Sequence, residues 1–203
     1  MRAYAGLYKC LAGFFRWLFR VDAVGLDNEP EEGGFIVAPN HLSLFDVIIV
    51  AATLKHQVHY MAKAELFKIP LLKQLITTLG AFPVDRKGSD VGAIRRCISH
   101  LKEGNVVGFY PQGHRQPGID PAKTEVKSGI AMVAKRADVK VLPICIQTKG
   151  YRILPFRKVY LTVGKAIVPD EINFGGSGKE EYDKAAKLIF DRILSLKRED
   201  VRI

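Results

Sequence analysis

Between Phe35 and Leu196 short apolar runs alternate with longer amphipathic ones, and this alternation confines the chain to helices packed on a mostly parallel sheet. The runs at 35–38, 58–62, 81–84, 106–110, 139–146 and 159–163 are of strand length and largely apolar. The stretches 43–54, 71–79, 91–102, 127–136 and 180–196 are expected as helices. The chain has 203 residues, enough for one domain of this class with a full core. We find no internal repeat and no linker, although Phe174-Gly175-Gly176-Ser177-Gly178-Lys179 makes a flexible approach to the last helix. The expectation is a single α/β domain over 23–203, its sheet mixed and mainly parallel, flanked by helices.

Residues 1–22 read differently. On a helix, Arg2, Lys9, Arg16 and Arg20 fall within about 40° of one another, while Tyr4, Leu7, Leu11, Phe14, Phe15 and Leu18 lie on the opposite side. A basic ridge backed by aromatic and aliphatic residues fits a helix lying in the membrane interface. The segment is too interrupted by charge to span a bilayer, and Lys9 and Arg16 break any signal-peptide core. The competing reading is a helix docked on the protein's own core. A second lysine-studded apolar stretch, Glu65 to Ile76, is suited either to an acyl-chain groove, to bilayer contact or to an ordinary core helix.

The formal charge of +10 implies an anionic partner. Nucleic acid binding is not expected, because aromatics and cations occur together only in the N-terminal segment, where they separate onto two faces. Cys10, Cys97 and Cys145 are odd in number and lack metal-ligand spacing, so free thiols in a reducing compartment are expected. His56 and His59 lie three apart in a strand-like stretch and point to opposite faces, which makes them poor joint metal ligands.

Chemistry is expected where the run Phe35-Ile36-Val37-Ala38 gives way to Pro39-Asn40-His41, followed five residues later by Asp46. This puts His41 at the carboxyl end of a strand, the edge where open α/β sheets bind ligands. A carboxylate there fixes one imidazole nitrogen and leaves the other as a base for a hydroxyl proton. Two further polar patches follow strand-like runs: Asp85-Arg86 after Val84, and Pro111-Gln112-Gly113-His114-Arg115 after Tyr110. Guanidinium forks match phosphate oxygens, and glycine lets backbone amides approach an anion. A base beside a phosphate clamp is the constellation these edges imply.

In order and spacing, four blocks resemble those of the glycerolipid acyltransferases, most closely the bacterial 1-acyl-sn-glycerol-3-phosphate type. They are Asn40-His41-Leu42-Ser43-Leu44-Phe45-Asp46, Gly80 to Arg86, Phe109 to Arg115, and Val141-Leu142-Pro143-Ile144. The resemblance covers roughly Gly34 to Val163. It implies that His41 is the general base, Asp46 its orienting partner, and Arg86 and Arg115 ligands of the acceptor's phosphate, with Gln112 and Gly113 in the same substrate-binding block. The donor it implies is acyl-CoA or acyl-carrier protein, the acceptor lysophosphatidic acid, and the product phosphatidic acid in phospholipid synthesis. No metal and no cofactor beyond the donor substrate is expected, and the place of work is an anionic membrane surface at the cytoplasmic face, reached peripherally or monotopically.

The third block departs from the family's usual Phe-Pro-Glu-Gly-Thr-Arg: Gln112 replaces glutamate and His114 replaces threonine. The amide carries no charge, so the acceptor's identity is the property this departure touches. No Gly-x-Ser-x-Gly elbow occurs, and direct attack of a deprotonated hydroxyl on the thioester is favoured over an acyl-enzyme. Backbone amides near Gly113 are candidates for the oxyanion. Lys63, Lys68 and Lys127 are further candidate contacts to phosphate or donor. The alternatives are acylation of glycerol 3-phosphate or another lysolipid, thioester hydrolysis by the same pair, and non-catalytic lipid binding.

Overall fold

The computed structural model describes residues 11–78, 80–84, 90–172 and 178–201. Among these residues seven strands form one sheet: β1 (Asp22–Val24), β2 (Phe35–Pro39), β3 (Val58–Lys63), β4 (Phe82–Val84), β5 (Val106–Gly108), β6 (Lys140–Thr148) and β7 (Val159–Val163). Their order is β1-β7-β6-β2-β5-β3-β4. Strands β2 to β6 run one way; β7 is antiparallel to β6, and β1 follows β7 in parallel. The expected single domain with a mixed, mainly parallel sheet is what the chain forms.

The helices are α1 (residues 11–18), α2 (Phe45–Thr53), α3 (Pro70–Thr78), α4 (Asp90–Lys102), α5 (Gly129–Ala137) and α6 (Lys179–Ser195). Strand alternation sorts side chains between two apolar layers. Phe35 and Val37 of β2 join Leu142, Ile144 and Ile146 of β6 under α2 and Phe19. Ile36 and Ala38 face the other way, with Val141 and Cys145, under α4, α5 and α6. The central strands are buried on both faces, which is why they read as continuous apolar runs.

Three details depart from the sequence expectation. Strand β1 is only three residues long, too short to show a period, and exists because β7 pairs with it. Strand β5 ends at Gly108 rather than Tyr110, because the Tyr110 carbonyl turns to accept the Gly113 N–H at 3.0 Å. The apolar face expected to meet a membrane is divided: Phe15 and Leu18 pack on the domain's own core beside Phe19, whose ring meets that of Phe45 at a tilt with centroids 4.9 Å apart, while Phe14 stays 51% exposed. Arg2, Tyr4, Leu7 and Lys9 of that expectation lie outside the described residues, as does most of the glycine-rich approach to α6.

At the amino edge of the sheet, the buried carboxylate of Glu29 accepts from the Lys55 and His56 backbone amides, both at 2.9 Å, and lies 2.8 Å from His56 Nδ1. It ties the chain before β2 to the end of α2. Glu29→Ala leaves these donors without their acceptor and is expected to destabilise the domain by about 2–4 kcal/mol. Thermal unfolding should show it as a lower Tm, with kcat of the folded fraction unchanged, because His56 lies at the edge opposite His41.

Candidate active site

Parallel pairing of β2 with β5, Ile36 opposite Val107 and Val37 opposite Gly108, brings the carboxyl ends of both strands side by side. The segment after β2 carries His41 and that after β5 carries Tyr110 to Arg115. Adjacent parallel strands thus join two motifs far apart in sequence at the edge where ligands bind. Strand β4 ends at this edge too, but Arg86 lies outside the described residues.

Asn40 turns the chain off the sheet. Its Oδ1 accepts from the Ile146 N–H at 2.7 Å and its Nδ2 donates to the Ile146 carbonyl at 3.0 Å, so a fully buried side chain continues the pairing that proline-terminated β2 gives up. The next residue, His41, therefore leaves the sheet from a fixed point.

His41 Nδ1 lies 2.9 Å from Asp46 Oδ2. The same oxygen accepts from the Leu42 amide at 2.6 Å and the Ser43 amide at 2.8 Å, which folds the first turn of α2 back onto the histidine. Facing a carboxylate, Nδ1 carries the proton and Nε2 keeps its lone pair, the tautomer a general base requires. Asp46 is fully buried, and its second oxygen has no hydrogen-bond partner among the described residues. Burial pushes its carboxyl above the ordinary carboxylate range, against the pull of the His41, Ser43 and Leu42 hydrogen bonds.

The imidazole stacks on the Tyr110 ring at 3.8 Å and 20°, and Tyr60 stacks behind Tyr110 at 6.1 Å. Gly108 makes room for this column: a Cβ there would lie 2.0 Å from the Tyr60 ring. Burial pushes the Tyr110 phenol well above its usual pKa, so the face against His41 stays uncharged.

The segment after β5 clamps the His41 peptide from both sides. Gln112 Oε1 accepts the His41 N–H at 2.6 Å, and the Gln116 N–H donates to the His41 carbonyl at 2.9 Å. Gln112 is fully buried, whereas Arg115, Gly113 and His114 are exposed. Among the described residues Arg115 has no ion-pair partner, so its cation is left for solvent or ligand. The Gly113 amide donates to the Tyr110 carbonyl. The stem of Lys127 crosses Gly113, where a Cβ would meet its Cδ at 2.9 Å. His114 Nε2 sits 2.7 Å from the side-chain nitrogen Nε2 of Gln116.

Sequence reasoning assigned no role to Asn40, Tyr60, Gly108, Tyr110 or Thr124. Asn40 and Tyr110 lie within the first and third blocks, beside residues given roles; what Tyr60, Gly108 and Thr124 do depends on neighbours remote in sequence. Cys97 and Cys145 are buried free thiols whose pKa burial pushes up to about 12, so neither supplies a thiolate near neutral pH. His56 is held by Glu29, and His59 stacks on His100 at 5.5 Å.

A histidine oriented by a buried carboxylate at the carboxyl edge of such a sheet, near a guanidinium with no ion-pair partner among the described residues, suits a class of enzymes that activate a hydroxyl near an anionic group. The family model described as Acyltransferase matches residues 20–147. The 1-acyl-sn-glycerol-3-phosphate acyltransferase of Bacillus subtilis strain 168 is 32% identical over 144 residues, 70% of each chain. That of Streptococcus pneumoniae R6 is 34% identical over 116 residues, 56% of this chain and 41% of that protein. The crystal structure of the 1-acyl-sn-glycerophosphate acyltransferase from Thermotoga maritima superposes with a TM-score of 0.72 at 28% identity, over 97% of this chain and 80% of that one. This chain belongs to the acyltransferase family, and it is an enzyme of that type.

Proposed function

We propose that the protein transfers an acyl group from a thioester, acyl-CoA or acyl-carrier protein, to the free hydroxyl of 1-acyl-glycerol-3-phosphate, yielding phosphatidic acid. The observation that carries this reading is the Asp46-oriented His41, clamped by the segment that bears Arg115, a cation without an ion-pair partner among the described residues. The names of the relatives supply the acceptor. His41 Nε2 takes the hydroxyl proton, the oxygen attacks the thioester carbonyl, and the C–S bond breaks to expel a thiolate, which takes the proton back from the imidazolium and leaves as the thiol. Asp46 stabilises the imidazolium formed on the way, and Arg115, with Arg86, holds the phosphate. Purified protein with lysophosphatidate and each thioester donor tests it. Phosphatidate in the products supports the reading; free fatty acid alone replaces it with thioester hydrolysis.

The setting we propose is an anionic membrane surface, approached peripherally from the cytoplasmic side. Among the described residues no helix is long and apolar enough to cross a membrane. Trp17 is 63% exposed, Phe14 51% and Phe156 62%, and Trp17 meets Phe156 edge-on at 5.7 Å. Exposed Arg16 precedes Trp17 on α1, and exposed Arg20 lies in the turn that follows the helix. Aromatics beside cations suit the headgroup boundary of anionic lipid. Trp17 is the sole tryptophan, so its fluorescence is a native probe. Anionic vesicles are expected to shift its emission to the blue, zwitterionic ones to do so weakly, and Phe156→Ala to weaken partitioning by about tenfold. Unchanged emission with anionic vesicles would remove this surface from the membrane.

A further inference from the structure

Gln112 stands where the family pattern has glutamate, and its surroundings give a reason that concerns the base rather than the acceptor. Its side chain is fully buried, and both polar atoms are engaged. Oε1 accepts the His41 N–H at 2.6 Å, and Nε2 donates to Thr124 Oγ1 at 2.8 Å. The Thr124 hydroxyl has one proton, which it donates to the Pro121 carbonyl at 2.6 Å. Thr124 can therefore only accept from residue 112, and His41 can only donate to it. The two bonds have opposite polarity, and an amide satisfies both.

We propose that Gln112 is a positioning residue: it anchors the His41 peptide to the 121–124 turn, and Thr124 is what makes an amide, not a carboxylate, the fitting group here. The proposal rests on the reading of His41 as the base. Gln112 approaches the acceptor through neither of its polar atoms. Its expected contribution is to the geometry of proton abstraction, seen in kcat, not to acceptor recognition, seen in KM.

Gln112→Glu is a test with an internal signature. A neutral carboxylic acid copies the amide: its carbonyl accepts from His41 and its O–H donates to Thr124. An ionised one has no proton for Thr124 and puts a second buried negative charge near Asp46. Burial and that neighbouring carboxylate hold the introduced group protonated at low pH, and it ionises as pH rises. The titratable and charged groups on the segments it touches are His41 with Asp46 on its ring, Tyr110, His114 and Arg115 on its own loop, and Asp120, Lys123 and Glu125 around the turn that bears Thr124, with Lys127 beyond Gly113. The variant should approach wild-type kcat at the acid end of the assay range and fall at least about tenfold below it at the alkaline end, with acceptor KM changed less than about twofold.

Thr124→Val reads the same link without a new charge. It removes the acceptor of Nε2 and is expected to lower kcat severalfold by a factor that does not vary with pH. Amide hydrogen exchange at His41, followed by NMR, reports the anchor without catalysis. It should quicken in Thr124→Val at every pH and in Gln112→Glu only as pH rises. Were the wild type inactive on lysophosphatidate, this exchange signature would still decide the anchor separately from the choice of acceptor. A constant ratio of Gln112→Glu to wild-type kcat across pH, wild-type exchange in both variants, or a loss confined to acceptor KM would overturn the proposal.

Discussion

Replacing His41 with alanine is expected to lower acyl transfer at least about a hundredfold at saturating substrates, equivalent to about 2.7 kcal/mol of barrier. The step lost is proton abstraction from a hydroxyl, and among the described residues neither the buried thiols nor the phenol stacked on His41 offers a base to replace it. Cys97 and Cys145 are buried thiols with pKa raised to about 12, and Tyr110 is held neutral by burial. The variant should remain folded. The His41 peptide is held by Gln112 and Gln116 through backbone atoms, which alanine keeps; what is lost inside the protein is the ring stack on Tyr110 and one of the three N–H donors to Asp46 Oδ2, the Leu42 and Ser43 amides remaining. Acceptor KM is expected to change little, since phosphate recognition is assigned to the arginines. Single-turnover assays with mass-spectrometric product analysis separate the effects. Activity within tenfold of wild type would remove His41 from the role of base.

The sequence displayed the parts of this site that are local and hid those that depend on the sheet. His41 and Asp46 are five residues apart, with one strand end and one helix start between them, so their meeting followed from local structure alone. Gln112 is 71 residues from His41 and Asn40 is 106 from Ile146; these contacts exist because β5 and β6 flank β2, a strand order that periodicity does not encode. The same limit explains the N-terminal segment. Helical spacing grouped Phe14, Phe15 and Leu18 on one face, but only the packed domain shows that Phe15 and Leu18 are partly covered while Phe14 and Trp17 are left outside. The substitution of glutamine for glutamate was visible at once, yet its physical setting required the position of Thr124.

Asp46→Asn tests whether the carboxylate serves catalysis at the expense of stability. Oδ2 receives three N–H groups, from His41, Leu42 and Ser43, while the other oxygen is buried without a partner among the described residues. An asparagine carbonyl can occupy the first place and keep all three bonds, but it offers no charge to the imidazolium that forms when His41 takes the proton. The expected result is a fall in kcat of about 10²–10⁴-fold with binding little affected. Stability should move the other way or not at all. Because burial raises the Asp46 pKa, the folded protein holds this proton more tightly than the unfolded chain does. The contribution to stability is thus largest below the unfolded pKa near 4 and is lost as pH rises through the folded value, opposite to a salt-bridged carboxylate. Asparagine removes that penalty but buries an unpaired N–H₂ where Oδ1 lay, so the net change near neutral pH is expected within about 1 kcal/mol of zero. Urea unfolding at several pH values, beside the kinetics, checks both parts. A variant that loses several kcal/mol along with its activity would make Asp46 a structural anchor first and an orienting group second.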